Sequence, residues 1–197
     1  MGIHIRNAVI ALLVAAGVGF GLGLLMASAG AEAGFEVPLL GTVLGGFTFY
    51  ILWNLSGNRK VAGATKEQRE QAMTLTPPPG QALVYIVRKG FVAKAAGMNI
   101  AVDGVPRAHL KAPQFTCFAV APGPHQLSAA FGGGAGAQSR AQTEPLSLEA
   151  GQAVGVLMTP KMGMLQGSIA FETVSGHELQ QMIRGMTMVA PIELSAG

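Results

Sequence analysis

"LLMASAGAEAGFEVPLL", residues 24–40, supports two opposite readings. Ala27-Ser28-Ala29 and Ala31-Glu32-Ala33 both have the small-x-small pattern of a signal-peptidase site behind an apolar run. The same stretch also serves as a short polar turn between two membrane helices. Length separates the two readings. From Ala8 to Met26 no side chain is charged or strongly polar, longer than the ~7–15 residues of a signal-peptide core and close to the ~20 needed to cross a bilayer. A second uncharged run follows from Val37 to Leu55. Pro38 falls where the first turn of a helix tolerates a missing N–H. The expectation is therefore a hairpin of two transmembrane helices within residues 1–56, spanning about 8–28 and 37–55.

The charges around the hairpin orient it. Its turn carries Glu32 and Glu36 without Lys or Arg, whereas Arg6 precedes the first span and Arg59, Lys60, Lys66 and Arg69 follow the second. Basic residues near span ends stay on the cytoplasmic side. Both termini are expected in the cytoplasm of a bacterial cell, with the hairpin in the inner membrane and residues 29–37 outside. Tyr50 and Trp53, with Arg59 and Lys60 beyond them, fit the membrane interface, where aromatic rings and anionic headgroups meet the chain.

Within the spans the informative residue is glycine. Gly17, Gly19, Gly21 and Gly23 alternate in "AAGVGFGLGLL", so Gly17/Gly21 and Gly19/Gly23 are both G-x-x-x-G pairs, and Gly41/Gly45 repeats the spacing. No hydrophobic force acts between helices in lipid, so close backbone approach at small residues is a main route to association. Either the two spans pack on each other, or a glycine face receives a helix from another subunit. Neither span holds an ionisable residue, which argues against a channel or pump.

The remaining residues suit one small domain. The net charge is only +3, and there is no basic stripe interleaved with aromatics, so a nucleic-acid partner is not expected. Residues 57–79 read as a basic juxtamembrane helix, "ATKEQREQAM" with Thr65 and Gln68 as a capping box, followed by a proline-rich spacer, "TLTPPPG". Over 80–175 the pattern becomes β, with strands expected at 82–88, 115–121, 125–131, 153–159 and 167–174, and a strand with its turn at 98–104 and at 144–151. Asp103-Gly104 signals a tight hairpin. Short strands separated by frequent turn signals indicate an antiparallel sandwich. Residues 176–197 hold a terminal helix, "GHELQQMIRGM", and a tail. The fold class is thus an N-terminal transmembrane helical hairpin plus an all-β antiparallel sandwich with a short C-terminal helix.

"PGQALVYIVR", "IAVDG", "FTCFAVAPGPHQL" and "LSLEAGQAVGVLM" together resemble an uncharacterised bacterial domain family often found in lipoproteins. The resemblance covers about residues 79–175 and implies an Ig-like or transthyretin-like β-sandwich, with no reaction attached. This chain lacks the lipobox cysteine usual there and carries the helical hairpin instead.

Candidate chemistry is sparse. Cys117 is the only cysteine; on "FTCFAVA" it shares a face with Phe115 and Ala119, the setting of a buried, inert thiol. His4, His109, His125 and His177 are scattered without metal-ligand spacing, and the His125 ring is expected to satisfy a loop carbonyl after "PGP". Asp103, Glu144, Glu149, Glu172 and Glu178 lie mostly at turns and strand ends and form no evident acid–base pair. "GGGAG" at 132–136 lacks the features of a phosphate loop and reads as a flexible hairpin loop. No catalytic, cofactor or metal site is expected. Methionine is the remaining signal, because Met serves adaptable surfaces as well as cores. Met162, Met164 and Leu165 in "TPKMGMLQG", with Met186 and Met188 near the C-terminus, are candidates for contact with a partner.

These features point to a non-catalytic accessory subunit, anchored by its hairpin in a larger membrane complex; energy-transducing respiratory or photosynthetic assemblies are natural hosts. The alternative is a membrane-tethered module that binds a small molecule, a lipid headgroup or a peptide.

Overall fold

The computed structural model describes residues 3–30, 34–161 and 166–192. The chain forms two compact units, Met1–Ser56 and Gly57–Gly197.

The first unit is a pair of apolar helices, α1 (Ile3–Ser28) and α2 (Glu36–Asn54). Both are long and apolar enough to cross a membrane. Their large side chains point outward: Leu12 is 71% and Phe20 72% exposed, while the buried positions are Asn7, Ala11, Val37, Gly41 and Gly45. A soluble helix hides its large apolar residues and exposes polar ones; this pair does the reverse. Asn7, buried near the start of α1, donates its amide to the Leu52 carbonyl at 3.1 Å. That carbonyl lies in the last turn of α2, where intrahelical partners run out.

The second unit holds two mostly antiparallel sheets and three short helices. β1 (Ala82–Arg88), β4 (Gln114–Val120), β7 (Ala153–Lys161), β8 (Ser168–Ser175) and β9 (Thr187–Met188) form a sheet in the order β8-β7-β1-β4-β9. β2 (Met98–Val102), β3 (Val105–Leu110), β5 (Gly123–Phe131) and β6 (Gln142–Leu148) form another, ordered β3-β2-β5-β6. Two pairings depart from the antiparallel expectation, since β1 runs parallel to β7 and β4 to β9.

Every residue of β1 is buried because its two faces meet different layers. Ala82, Val84 and Ile86 join Ile100, Leu127, Leu146 and Val156 in the core between the sheets. Leu83, Tyr85 and Val87 face a second core, closed by Ala72 of α3 (Lys66–Met73) and by Leu179 and Ile183 of α5 (Gly176–Arg184). Burial of a Leu or Ile contributes about 1.5–3 kcal/mol, so α5 is held by its apolar stripe. Gly155 on β7 makes room for it: a Cβ there would stand 2.6 Å from Leu179 Cδ1 and 2.8 Å from Val174 Cγ2.

Several expectations meet the structure directly. The Thr65/Gln68 capping box is formed, with the Gln68 N–H donating to Thr65 Oγ1 at 3.2 Å and the Thr65 N–H to Gln68 Oε1 at 2.9 Å. Asp103 and Gly104 both take positive φ (53° and 77°) between the paired residues Val102 and Val105, as a two-residue hairpin turn requires.

Other expectations are corrected. There are nine strands rather than seven among the described residues. β3 escaped because Pro106, Arg107 and His109 break the strand pattern, yet it lies at a sheet edge, where a proline is tolerated. The glycines after Phe131 form a one-turn helix, α4 (Gly133–Ala137), not an open loop. Ahead of the proline-rich stretch, residues 61–69 are bonded into the second unit. Val61 packs on the first core, the Ala64 N–H donates to the Met188 carbonyl, and the Ala190 N–H donates to the Ala62 carbonyl. Arg69 donates to the carbonyls of Met186 and Arg184 at 2.7 and 3.0 Å.

Candidate interaction surfaces

In the helix pair the expected glycines divide into two sets. A Cβ on Gly41 would lie 2.8 Å from the Ala15 carbonyl oxygen, and one on Gly45 would lie 2.6 Å from the Ala15 Cβ and 3.0 Å from the Ala11 carbonyl oxygen. Gly41 and Gly45 thus let α2 approach α1 at Ala11 and Ala15. A Cβ on Gly17, Gly19, Gly21 or Gly23 would meet nothing within 4 Å. At 100° per residue, Gly17 and Gly21 lie about 200° and 240° round the helix from Ala15, on the side away from α2. The hairpin closes on Ala11 and Ala15 of α1, with the Gly19 backbone 3.6 Å from a Cβ on Gly41, and leaves the Gly17/Gly21 pair exposed. The sequence flagged both sets of glycines but not Ala11, Ala15 or Asn7.

Tyr50 is exposed and Trp53 half-buried at the end of α2, while Arg59 and Lys60 are exposed at the start of the second unit. Next to Arg59, Asn58 ties this segment to the loop between β1 and β2. Its side-chain amide donates to the Ala95 carbonyl at 2.9 Å, and its Oδ1 accepts the Gly97 N–H.

Arg88 organises the same loop from inside. Its side chain is fully buried, and its guanidinium donates to the carbonyls of Ala96, Leu110 and Ala93. It also lies over the Phe131 ring, 5.1 Å from the centroid. Loss of hydration in the interior brings its pKa down to about 10. The Lys94 carbonyl accepts the Ala112 N–H, so the carbonyls of residues 93–96 are all engaged. Held on this frame, Phe91 is 88% exposed.

His109 lies beside the frame, buried. Its Nδ1 meets Asn99 Oδ1 at 2.8 Å, and its Nε2 accepts the Arg59 N–H at 3.2 Å. That pairing requires a neutral ring with its proton on Nδ1. Burial lowers the His109 pKa first, and the nearby charges of Arg59, Lys111 and Arg88 lower it further. Gly97 has no Cβ because one would overlap the His109 ring.

His125 has the opposite environment. Its Nδ1 faces Asp103 Oδ2 at 2.6 Å, and its Nε2 donates to the Ala121 carbonyl at 2.8 Å. The loop carbonyl was expected; the carboxylate was not, because the β2–β3 turn that carries it is 22 residues away. Two oxygen acceptors favour the imidazolium, so the His125 pKa rises, chiefly through Asp103, whose own pKa falls.

Cys117 is buried, and desolvation pushes its thiol up to about 12, far from the thiolate a nucleophile needs. Neighbouring Tyr85 donates its hydroxyl to the Ala72 carbonyl at 2.6 Å, bonding β1 to α3. Gln68, Gln71, Thr76, Leu83, Cys117 and Met188 line an open cavity of about 180 Å³, below the ~300–1,000 Å³ of ordinary small-molecule sites. Among the described residues, no group of three His, Cys, Asp or Glu could hold a metal ion.

The methionine candidates fare differently from the glycines. Met186 and Met188 are buried in the second core against Phe115, Leu179 and Ile183, so they fill gaps between α5 and β4 and present no contact surface. Met162, Met164 and Leu165 lie outside the described residues. Sequence reasoning missed Phe91, although its place in "RKGFVAK" between Lys89 and Lys94 was a readable signal. In comparisons with known proteins, no family model and no curated protein matches this chain.

Proposed function

We propose that the chain is a non-catalytic accessory subunit of a larger membrane complex. Its helix pair is embedded in the bacterial inner membrane, and both termini and the β unit lie on the cytoplasmic side. One observation carries this reading: α1 keeps a G-x-x-x-G face, Gly17 and Gly21, that its own hairpin does not use. Glycine is unfavourable inside a helix by about 0.5–1 kcal/mol relative to alanine, and in lipid its return is a closely approaching backbone. A helix of another subunit is the occupant that accounts for it. The outward Leu12, Leu13, Phe20 and Leu25 of the same helix suit lipid on the remaining surface.

The β unit supports the same reading as a docking module. We group it with Ig-like and transthyretin-like sandwiches, in line with the resemblance over residues 79–175. A respiratory or photosynthetic assembly remains the natural host. The binding-module alternative has the 180 Å³ cavity in its favour, but that space holds no drug-sized molecule.

The test is extraction of the tagged full chain from native membranes in a gentle detergent, followed by native electrophoresis. Migration in one discrete complex much larger than the chain is expected. Migration as the free chain under every mild condition would remove the proposal.

A further inference from the structure

We infer that the β1–β2 loop, residues 89–97, is a lipid-interface finger that sets Phe91 and Val92 among the headgroups of an anionic leaflet. The inference rests on the reading that α1 and α2 cross a membrane. Four observations lead to it.

The first is the exposure itself. Among the described residues from Gly57 onward, the large apolar side chains left exposed are Phe91, Val92 and Ile192. Two of the three are adjacent at one loop tip. Together they make a small contiguous apolar patch on a unit that otherwise hides most of its large apolar side chains.

The second is rigidity. Arg88 holds the carbonyls of Ala93 and Ala96, Ala112 holds that of Lys94, and Asn58 holds that of Ala95 and also the Gly97 N–H. Phe91 is therefore presented on a fixed frame. The ordering entropy of the loop is already spent before any contact is made.

The third is charge. Lys89 and Lys94 flank the tip, and Arg59 and Lys60 are exposed on the segment bonded to the loop. Neither residues 57–66 nor 88–98 include an Asp or Glu. An apolar tip ringed by cations alone complements an anionic lipid surface, where aromatic rings settle at headgroup depth and lysines pair with phosphates.

The fourth is covalent. Asn58, which bonds the loop, follows Asn54, the last residue of α2, by four positions. A four-residue stretch reaches at most about 14 Å even when fully extended. If α2 ends at the membrane surface, the chain enters the second unit within that reach of it.

The experiment uses the full chain in nanodiscs of phosphatidylcholine and phosphatidylglycerol, with and without bromine-labelled acyl chains. Trp53 is the only tryptophan, so the unmodified chain reports on the end of α2, and Trp53→Phe/Phe91→Trp reports on the loop tip. The exposed position of Phe91 lets the indole be accommodated without repacking. A blue-shifted, bromolipid-quenched emission from the Phe91→Trp chain is expected, with quenching weakened when Lys89→Glu and Lys94→Glu are added. Emission typical of an indole in water, insensitive to bromolipid, would overturn the inference. In that case quenching of Trp53 in the unmodified chain would show that the membrane reading survives alone. Loss of quenching at both positions would sink both.

Discussion

The two units of this chain obey opposite packing rules. In the helix pair, alanine, glycine and one asparagine make the contact, while leucine and phenylalanine point away. In the β unit, Ile86, Leu127, Phe115 and Ile183 are inside, and the helix α5 covers a sheet with its apolar stripe. On the proposed reading, each arrangement suits its own solvent. In water, the exclusion of large apolar side chains drives the assembly of two cores. In lipid that force is absent between helices, and backbone approach with an interhelical hydrogen bond takes its place. The same residue, glycine, therefore serves two ends. At Gly155 it admits a large side chain, Leu179; at Gly41 and Gly45 it admits a second backbone.

The sharpest way to break the β side of this comparison is Arg88→Met. The substitution takes the guanidinium from the carbonyls of Ala96 and Leu110, while that of Ala93 keeps the Ala96 N–H, and each buried unsatisfied carbonyl costs on the order of 1–3 kcal/mol. A loss of about 3 kcal/mol or more is expected in a denaturant titration of the full chain in detergent. A change under about 1 kcal/mol, within the range of ordinary surface substitutions, would mean that the guanidinium does not hold the loop.

Gly155→Ala comes next. Its Cβ would press on fully buried Leu179 and on Val174, and overpacking of this kind costs about 1–3 kcal/mol. The same titration measures it, and equal or greater stability would show that α5 shifts freely over β7.

The third prediction concerns pH and is smaller. His109 has a lowered pKa in the folded chain, so its contribution is present above the unfolded value of about 6.5 and is lost as pH falls through the folded one. His125 has a raised pKa, so its contribution is complete below about 6.5 and fades as pH rises through its folded value. The protection factor of the Arg59 amide, whose N–H is bound by His109, should therefore fall on acidification, whereas the β2–β3 turn, held by Asp103 and His125, should loosen as pH rises. His109→Gln should remove that acid response. An unchanged response in the variant would assign it to another group.

Much of this architecture was legible in the sequence, for identifiable reasons. Apolar length marked the two helices, Asp103-Gly104 marked the hairpin, and Thr65 with Gln68 marked the start of α3, because each is a local rule. What stayed hidden depends on distant partners. Pro106 disguised an edge strand, since edge and centre differ only in the folded sheet. Met186 and Met188 read as surface because nothing nearby in sequence shows β4 lying against them. The engagement of residues 57–64 with the C-terminal segment, and of Asn58 with the β1–β2 loop, joins residues far apart in the chain. Gly17 and Gly21 were noticed, but only the packing of α2 on Ala11 and Ala15 separated them from Gly41 and Gly45.

That separation is the centre of the account, and one measurement addresses it directly. Gly17→Leu/Gly21→Leu and Gly41→Leu are compared with the unmodified chain by native electrophoresis of detergent-extracted membranes, alongside the thermal stability of each purified chain. The account predicts that Gly17→Leu/Gly21→Leu abolishes the large complex and leaves the chain's own stability unchanged, whereas Gly41→Leu lowers that stability by splaying the helix pair. A complex that survives Gly17→Leu/Gly21→Leu intact would contradict it, because the face left open by the hairpin would then have no partner to receive.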